Sequence, residues 1–370
     1  MLIFVFALNV VFVFIGTEAV LRIMERQLPY AIVELLTKSA RTQILERRGL
    51  FVRDNLVGED MLYHWEPEAV INELPWVKID SNGYRNAHEA KSQIDVVLLG
   101  DSVTIAQNSR KDMAALLNEK DLTTLNLGFS SYGPLHYRDP YKKTVLDANI
   151  AARVVVINFC YCNDVTDAQS YERLKKIGKN WTDYLGTTPV RNAFPFDFEP
   201  PWIISILFNA PYKIVQNFRN KQNGNARMKI ELPRTLVDIP LAGWSRTPKL
   251  FSDRQWAPAI QGLLETIKLA QVEGTHVILA YYPNLSQIYM KYITPSNPFS
   301  AAAHQEYNDA IFRLRSVADQ SGNDFVDYTP AIQRAHGDQM VSTHDGDYHP
   351  NEYGVKVMVD TIYPIIKKNL

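Results

Sequence analysis

Cysteine is scarce in this chain, with only Cys160 and Cys162 among 370 residues. A C-x-C pair lacks the spacing of a zinc or thioredoxin-type site, and it says little about redox compartment. On a predicted strand the two side chains share a face, where local geometry disfavours a disulfide, so both are expected as buried thiols. A surplus of one charge is missing as well. Lys and Arg number 39 against 40 Asp and Glu, for a formal net charge of -1. The basic residues are scattered rather than gathered into a stripe, which gives a nucleic-acid backbone no electrostatic partner. Internal repeats and long low-complexity segments are absent too. With 46% hydrophobic and 21% charged residues, the chain has no signature of disorder and can bury one large core, or one core with a sizeable insertion.

The longest hydrophobic run is Met1 to Gly16, followed by Thr17-Glu18-Ala19-Val20-Leu21-Arg22. It approaches the roughly 20 residues of a membrane span only by including Asn9 and Glu18, and so is a marginal span. A signal peptide would be shorter, with a basic start and an A-x-A-like exit, and neither feature is present. Residues 1–27 are therefore expected to form an N-terminal membrane anchor. Arg22 and Arg26 follow the run while nothing basic precedes it, which on the positive-inside rule argues against export of the remainder.

Residues 28–90 have mixed polar and aromatic character, with turn signals at Glu66-Pro67-Glu68 and Ser81-Asn82-Gly83-Tyr84-Arg85, and read as a stalk and lead-in segment. From 91 to 370 short β-branched runs alternate with helical stretches, the pattern of a parallel sheet covered on both faces. Strands are expected at Ile94–Leu99, Thr123–Leu127, Val154–Phe159, His276–Tyr281 and Phe325–Asp327. Crossover helices are expected around Met113–Leu117 and over Ala257–Gln271. Roughly 90 residues separate Asn163-Asp164 from the helix before the fourth strand, too many for an ordinary connection. An insertion at about 168–255 fills this gap. Its apolar stretch Trp202–Phe208 suits a lid, a surface helix dipping into a membrane, or extra core packing.

Gly100-Asp101-Ser102-Val103 closes the first buried strand, which places a serine at the carboxyl edge of the sheet, where open α/β folds bind ligands. A serine hydroxyl is a weak nucleophile and needs a base, a group that orients the base, and donors for the oxyanion formed on attack. Asp345-Gly346-Asp347-Tyr348-His349-Pro350-Asn351, in a loop before the last helix, offers the base and its partner. The order Ser, Asp, His recurs in serine hydrolases on parallel sheets. The other histidines lack a comparable setting, although His344 is close. A metal reading of His344 to His349 is disfavoured, because Gly346 and Pro350 make the cluster a loop without the i,i+4 helical placement of H-E-x-x-H.

These segments resemble the four blocks of the SGNH, or GDSL-type, hydrolases. Gly100-Asp101-Ser102 matches the nucleophile block and Cys162-Asn163-Asp164 the third, whose Asn donates to the oxyanion. The fourth block ends in His349. Asn126-Leu127-Gly128-Phe129-Ser130-Ser131-Tyr132-Gly133 resembles the second, with Ser131 where the family has a glycine that donates its backbone N–H. The family's usual Asp, three residues before His, is Gly346 here, which leaves Asp347 as the preferred partner of His349 and Asp345 as the alternative. Tyr161 replaces the third-block glycine. Likeness to anchored bacterial members, including Ile79-Asp80-Ser81-Asn82-Gly83-Tyr84-Arg85, covers about residues 60–370 apart from the insertion.

The resemblance implies a flavodoxin-like three-layer α/β/α sandwich with a central parallel sheet. It also implies a serine esterase hydrolysing acyl esters, acetyl above all, of a carbohydrate or lipid, with no metal or organic cofactor. Ser102, Asp347 and His349 would form the triad. The N–H groups of Ser102 and Ser131 with the Asn163 amide would form the oxyanion hole, Asp101 would hold the turn, and Gly128 is a further candidate. Likeness to anchored members implies a catalytic domain outside the cytoplasm, periplasmic or at the cell surface, whereas the charges flanking the run imply the opposite orientation, and both orientations stay open. Two alternatives remain at this point: an O-acyltransferase acting on an extracellular polysaccharide, and a catalytically silent binding or assembly protein on the same fold.

Overall fold

Strands that are apolar along almost their whole length cannot leave a face in water, and in the computed structural model they lie side by side with both faces covered. The structure describes residues 13, 15–21, 23, 51–53, 63–70, 76–106, 108–176, 227–240, 248–294, 296–343 and 347–370. The chain divides into two compact units, residues 1–52 with 179–224 and residues 53–178 with 225–370. In the first unit residues 15–21 are helical, and most of the expected anchor at 1–27 lies outside the described residues. Among the described residues no helix is long and apolar enough to cross a membrane. The stretch Trp202–Phe208 of the insertion also lies outside the described residues.

The second unit carries the sheet. Its strands are β1 (Gln93–Gly100), β2 (Thr124–Asn126), β3 (Ala151–Cys160), β4 (His276–Tyr282) and β5 (Asp324–Asp327), all parallel, in the order β2-β1-β3-β4-β5. This is the strand order of the flavodoxin-like sandwich that the resemblance implies. Val97 of β1 lies opposite Leu125 of β2 and Val155 of β3. The chain runs outward from β1 to β2 and then returns to β3, so the strand order reverses beside β1 and opens a crevice at the carboxyl ends.

The helices are α1 (Ser102–Ile105), α2 (Met113–Asn118), α3 (Arg138–Tyr141), α4 (Asp164–Lys176), α5 (Asp253–Val272), α6 (Leu285–Tyr289), α7 (Pro298–Gln320), α8 (Thr329–Asp338) and α9 (Glu352–Lys368). On one face of the sheet Val96, Leu98, Val154 and Val156 share a core with Met113 and Leu117 of α2 and with Val355, Met358, Val359, Ile362 and Ile366 of α9. The spacing of those α9 residues puts them on one stripe of the helix. Each such side chain, fully buried, contributes about 1.5–3 kcal/mol. The other face is covered by α5, whose Trp256 stacks on Phe159 of β3 at 5.8 Å between ring centroids.

Part of the insertion is an antiparallel hairpin, Arg227–Leu232 with Thr235–Pro240. Its Ile230, Leu232 and Val237 join the same core cluster as α9, so this portion is core packing. The cysteines correct the expectation of two buried thiols on one strand. Cys160 ends β3, whereas Cys162 lies in the following turn, and that change of direction brings their Cα atoms to 5.1 Å in a disulfide.

The lead-in segment is tied to the loop after α1. Asp80 accepts N–H bonds from Asn82 and Tyr84 at 3.0 and 2.9 Å, which shapes the turn that presents Arg85. The buried Arg85 guanidinium donates to the carbonyls of Ile105, Ala106, Ser109 and Arg110 at 2.6–3.0 Å and faces Asp112 at 3.6 Å. Asn86 pairs with both backbone groups of Asn126 and so covers the edge of β2.

Candidate active site

Ser102 is placed by the tight join of β1 to α1. A Cβ on Gly100 would sit 2.1 Å from Thr104 Oγ1 and 2.9 Å from the Asn158 carbonyl, so only glycine fits there. Asp101 is the N-cap of α1, and its carboxylate accepts the Val103 N–H at 2.9 Å. Ser102 therefore opens the helix at the carboxyl edge of the sheet.

His349 reaches the same edge from the loop before α9. Asn351 caps α9 through the Gly354 N–H, and its own amide donates to the carbonyls of Met340 and Ser342 at 2.8 and 2.9 Å. Thr343 N–H donates to the His349 carbonyl at 3.1 Å. Held in this way, His349 has Nε2 3.0 Å from Ser102 Oγ and Nδ1 2.9 Å from Asp347 Oδ1. Asp347 also accepts from the Thr343 hydroxyl. Burial raises the Asp347 pKa, but the bonds from His349 and Thr343 outweigh it and hold the carboxyl well below the usual carboxylate range. The Tyr348 ring stacks on His349 at 4.1 Å. Asp345 lies outside the described residues, as does His344.

The segments after β2 and β3 complete the surroundings. Gly128 N–H donates to Asn126 Oδ1 at 2.9 Å, and Asn126 also reaches the Thr104 carbonyl and Asp112, knitting the second block to α1 and α2. Ser131 lies farther along that loop in the left-handed region, at φ 64. That conformation accounts physically for a glycine preference at this position. Asn163 stands at the start of α4, and its Nδ2 donates to Asp167 Oδ2 at 2.9 Å. The geometry thus joins Ser102, His349 and Asp347 in one chain of hydrogen bonds, whereas Gly128 and Ser131 stay on the neighbouring loop.

Three carboxyls lie behind the serine. Burial pushes Asp101 up to about 6, with the Val103 N–H and the charge of His349 acting against the rise. Burial, and then the charge of Asp101, carry Asp164 and Asp167 well above the carboxylate range. Asp164 Oδ2 accepts from the Tyr137 hydroxyl at 2.7 Å and from the Cys160 N–H at 2.9 Å. The sulfurs of Cys160 and Cys162 approach Asp101, but as a disulfide they offer no thiolate to a metal.

No protein-family model matches the chain, and no curated protein sequence matches it. Solved structures with a similar fold include a GDSL-like lipase from Bacteroides thetaiotaomicron VPI-5482 (15% identity, 75% of this chain and 89% of that one, TM-score 0.37). Another is a catalytic mutant of an acetylxylan esterase from Geobacillus stearothermophilus (12% identity, 76% and 96%, TM-score 0.38). A third is an alpha/beta hydrolase from the metagenome of Lake Arreo, Spain (15% identity, 76% and 98%, TM-score 0.39). At such identities and TM-scores these likenesses carry no weight in assigning chemistry, which rests on the residues of this chain.

Thr343, Tyr348 and Asp167 were not legible as site residues. Tyr348 lies between the predicted partner and base and Thr343 four residues before the partner, so proximity in sequence was the available signal. Asp167 follows Asn163 by four positions, which on a helix puts the two on one face.

Proposed function

We propose that this chain is an SGNH-type serine ester hydrolase acting on short acyl esters, acetyl above all, of a carbohydrate or lipid. The observation that carries the reading is the 3.0 Å approach of His349 Nε2 to Ser102 Oγ, with Asp347 2.9 Å behind the ring. Nδ1–H donating to Asp347 leaves Nε2 as the acceptor of the serine proton. Ser102 Oγ attacks the ester carbonyl while its proton passes to Nε2. The tetrahedral intermediate collapses to an acyl-serine as the imidazolium protonates the departing alcohol. Water, deprotonated by His349, then releases the carboxylic acid and restores the serine. Backbone N–H groups of Ser102 and Ser131 and the Asn163 amide serve the oxyanion, each donor contributing on the order of 100-fold or more in rate.

A catalytically silent binding protein has no need of a serine, imidazole and carboxylate in line, and the short Ser102–His349 distance counts against it. The test is labelling of the full chain with a fluorophosphonate, alongside hydrolysis of p-nitrophenyl acetate, for wild type, Ser102→Ala and His349→Ala. Labelling of wild type and its loss in both variants is expected. A folded wild type that neither labels nor hydrolyses would overturn the reading.

A further inference from the structure

An asparagine amide can present either its nitrogen or its carbonyl oxygen to a neighbour by a half turn about its last side-chain bond, at almost no change in shape. For a residue meant to stabilise an oxyanion the two are opposites. Nitrogen donates to the developing negative charge, whereas the carbonyl repels it. Nothing within Asn163 itself makes that choice, so a neighbour must.

The neighbour with the right properties is Asp167. Its Oδ2 accepts the Asn163 Nδ2 hydrogen at 2.9 Å, and its own N–H donates to the Asn163 carbonyl at 2.8 Å, so the two residues are joined twice across the first turn of α4. Asp167 is buried and its side chain has little freedom to leave. The loop after β2 presses on it so closely that a Cβ on Gly133 would lie 3.0 Å from the Asp167 Cβ. On its other side lies Asp101, whose Oδ2 is 3.4 Å from Ser102 Oγ. With one Nδ2–H held by Asp167, the second is left for the oxyanion, on the side of Asp101 and the nucleophile.

We propose that Asp167 is a positioning residue for the oxyanion hole, holding Asn163 with its amide nitrogen toward Ser102. This role rests on the proposed ester hydrolysis and on Asn163 as an oxyanion donor. Because Asp167 acts only through Asn163, its effect should vanish once the Asn163 amide is removed.

The experiment is a double-mutant cycle on the full chain with p-nitrophenyl acetate, using Asn163→Ala, Asp167→Ala and the pair. Asp167→Ala is expected to lower kcat about tenfold or more, with KM within about twofold. In the Asn163→Ala background the same substitution should change kcat by less than about twofold, since there is no amide left to orient. Asp167→Asn keeps the shape but can turn either end toward Asn163, and a loss smaller than that of Asp167→Ala is expected. This variant also carries the test if the alanine variant fails to fold. Losses that multiply in the double mutant, or an unchanged kcat in Asp167→Ala, overturn the proposal while leaving ester hydrolysis standing. A folded wild type without esterase activity or labelling instead removes the reading on which it rests.

Discussion

Ser131 holds a backbone conformation that costs an L-residue about 1–2 kcal/mol and glycine almost nothing. Only its main-chain N–H is assigned to the oxyanion, so the side chain is dispensable. Ser131→Gly is expected to raise Tm by a few degrees without lowering kcat, as read by thermal denaturation and steady-state hydrolysis. A fall in kcat would instead give the hydroxyl a role. Ser102 and His349 could be read from sequence because each is bound to a local landmark, a strand end and a helix start. The orienting residues were harder to see, since Thr343 and Asp167 matter only through what the fold brings beside them. The cysteines show a related limit. On an unbroken strand the two would share a face in a geometry that disfavours a bridge, but the strand stops at Cys160, and a chain that turns no longer keeps that geometry.

Between elements, Arg85 ties the lead-in segment to the nucleophile loop. Its planar fork serves four carbonyls at once, and a lysine ammonium cannot reproduce that geometry. Arg85→Ala leaves those carbonyls and Asp112 without their cation and is expected to cost about 3 kcal/mol or more, with Arg85→Lys recovering little of it. Urea denaturation measures the loss, and a near-neutral Arg85→Ala would sink the idea. The strands were legible because their apolar runs are unbroken, and α9 because its apolar residues repeat with helical spacing. The hairpin was not singled out, although Lys229 and Glu231 alternate with Ile230 and Leu232 as a half-buried strand requires. That short signal lay within a long stretch without regular periodicity.

For the whole molecule, the buried carboxyls tie stability to pH. Asp101 is lifted from 3.8 to about 6, so between those values the folded chain keeps a proton that the unfolded chain has released. Stability from this group therefore falls as pH rises through that window, and Asp164 shifts in the same direction. Asp164→Asn removes the ionisable group and keeps a carbonyl for the Tyr137 hydroxyl and the Cys160 N–H. It should raise Tm at pH 8, with the advantage shrinking toward pH 5. A gain that does not depend on pH would show that burial of the charge is not the cause.

Ser102 and His349 stand 247 positions apart, with nearly the whole sheet threaded between them. Contacts of such long sequence separation close late, after much of the chain has already surrendered its freedom. A ribosome that has delivered Ser102 has made a serine and not yet a nucleophile. Hydrolytic competence would arrive only once α9 has docked and drawn the preceding loop across the sheet. Recovery of activity during refolding would then time the closing step of assembly, and a protease cut in that loop would silence the molecule while leaving most of its strands paired.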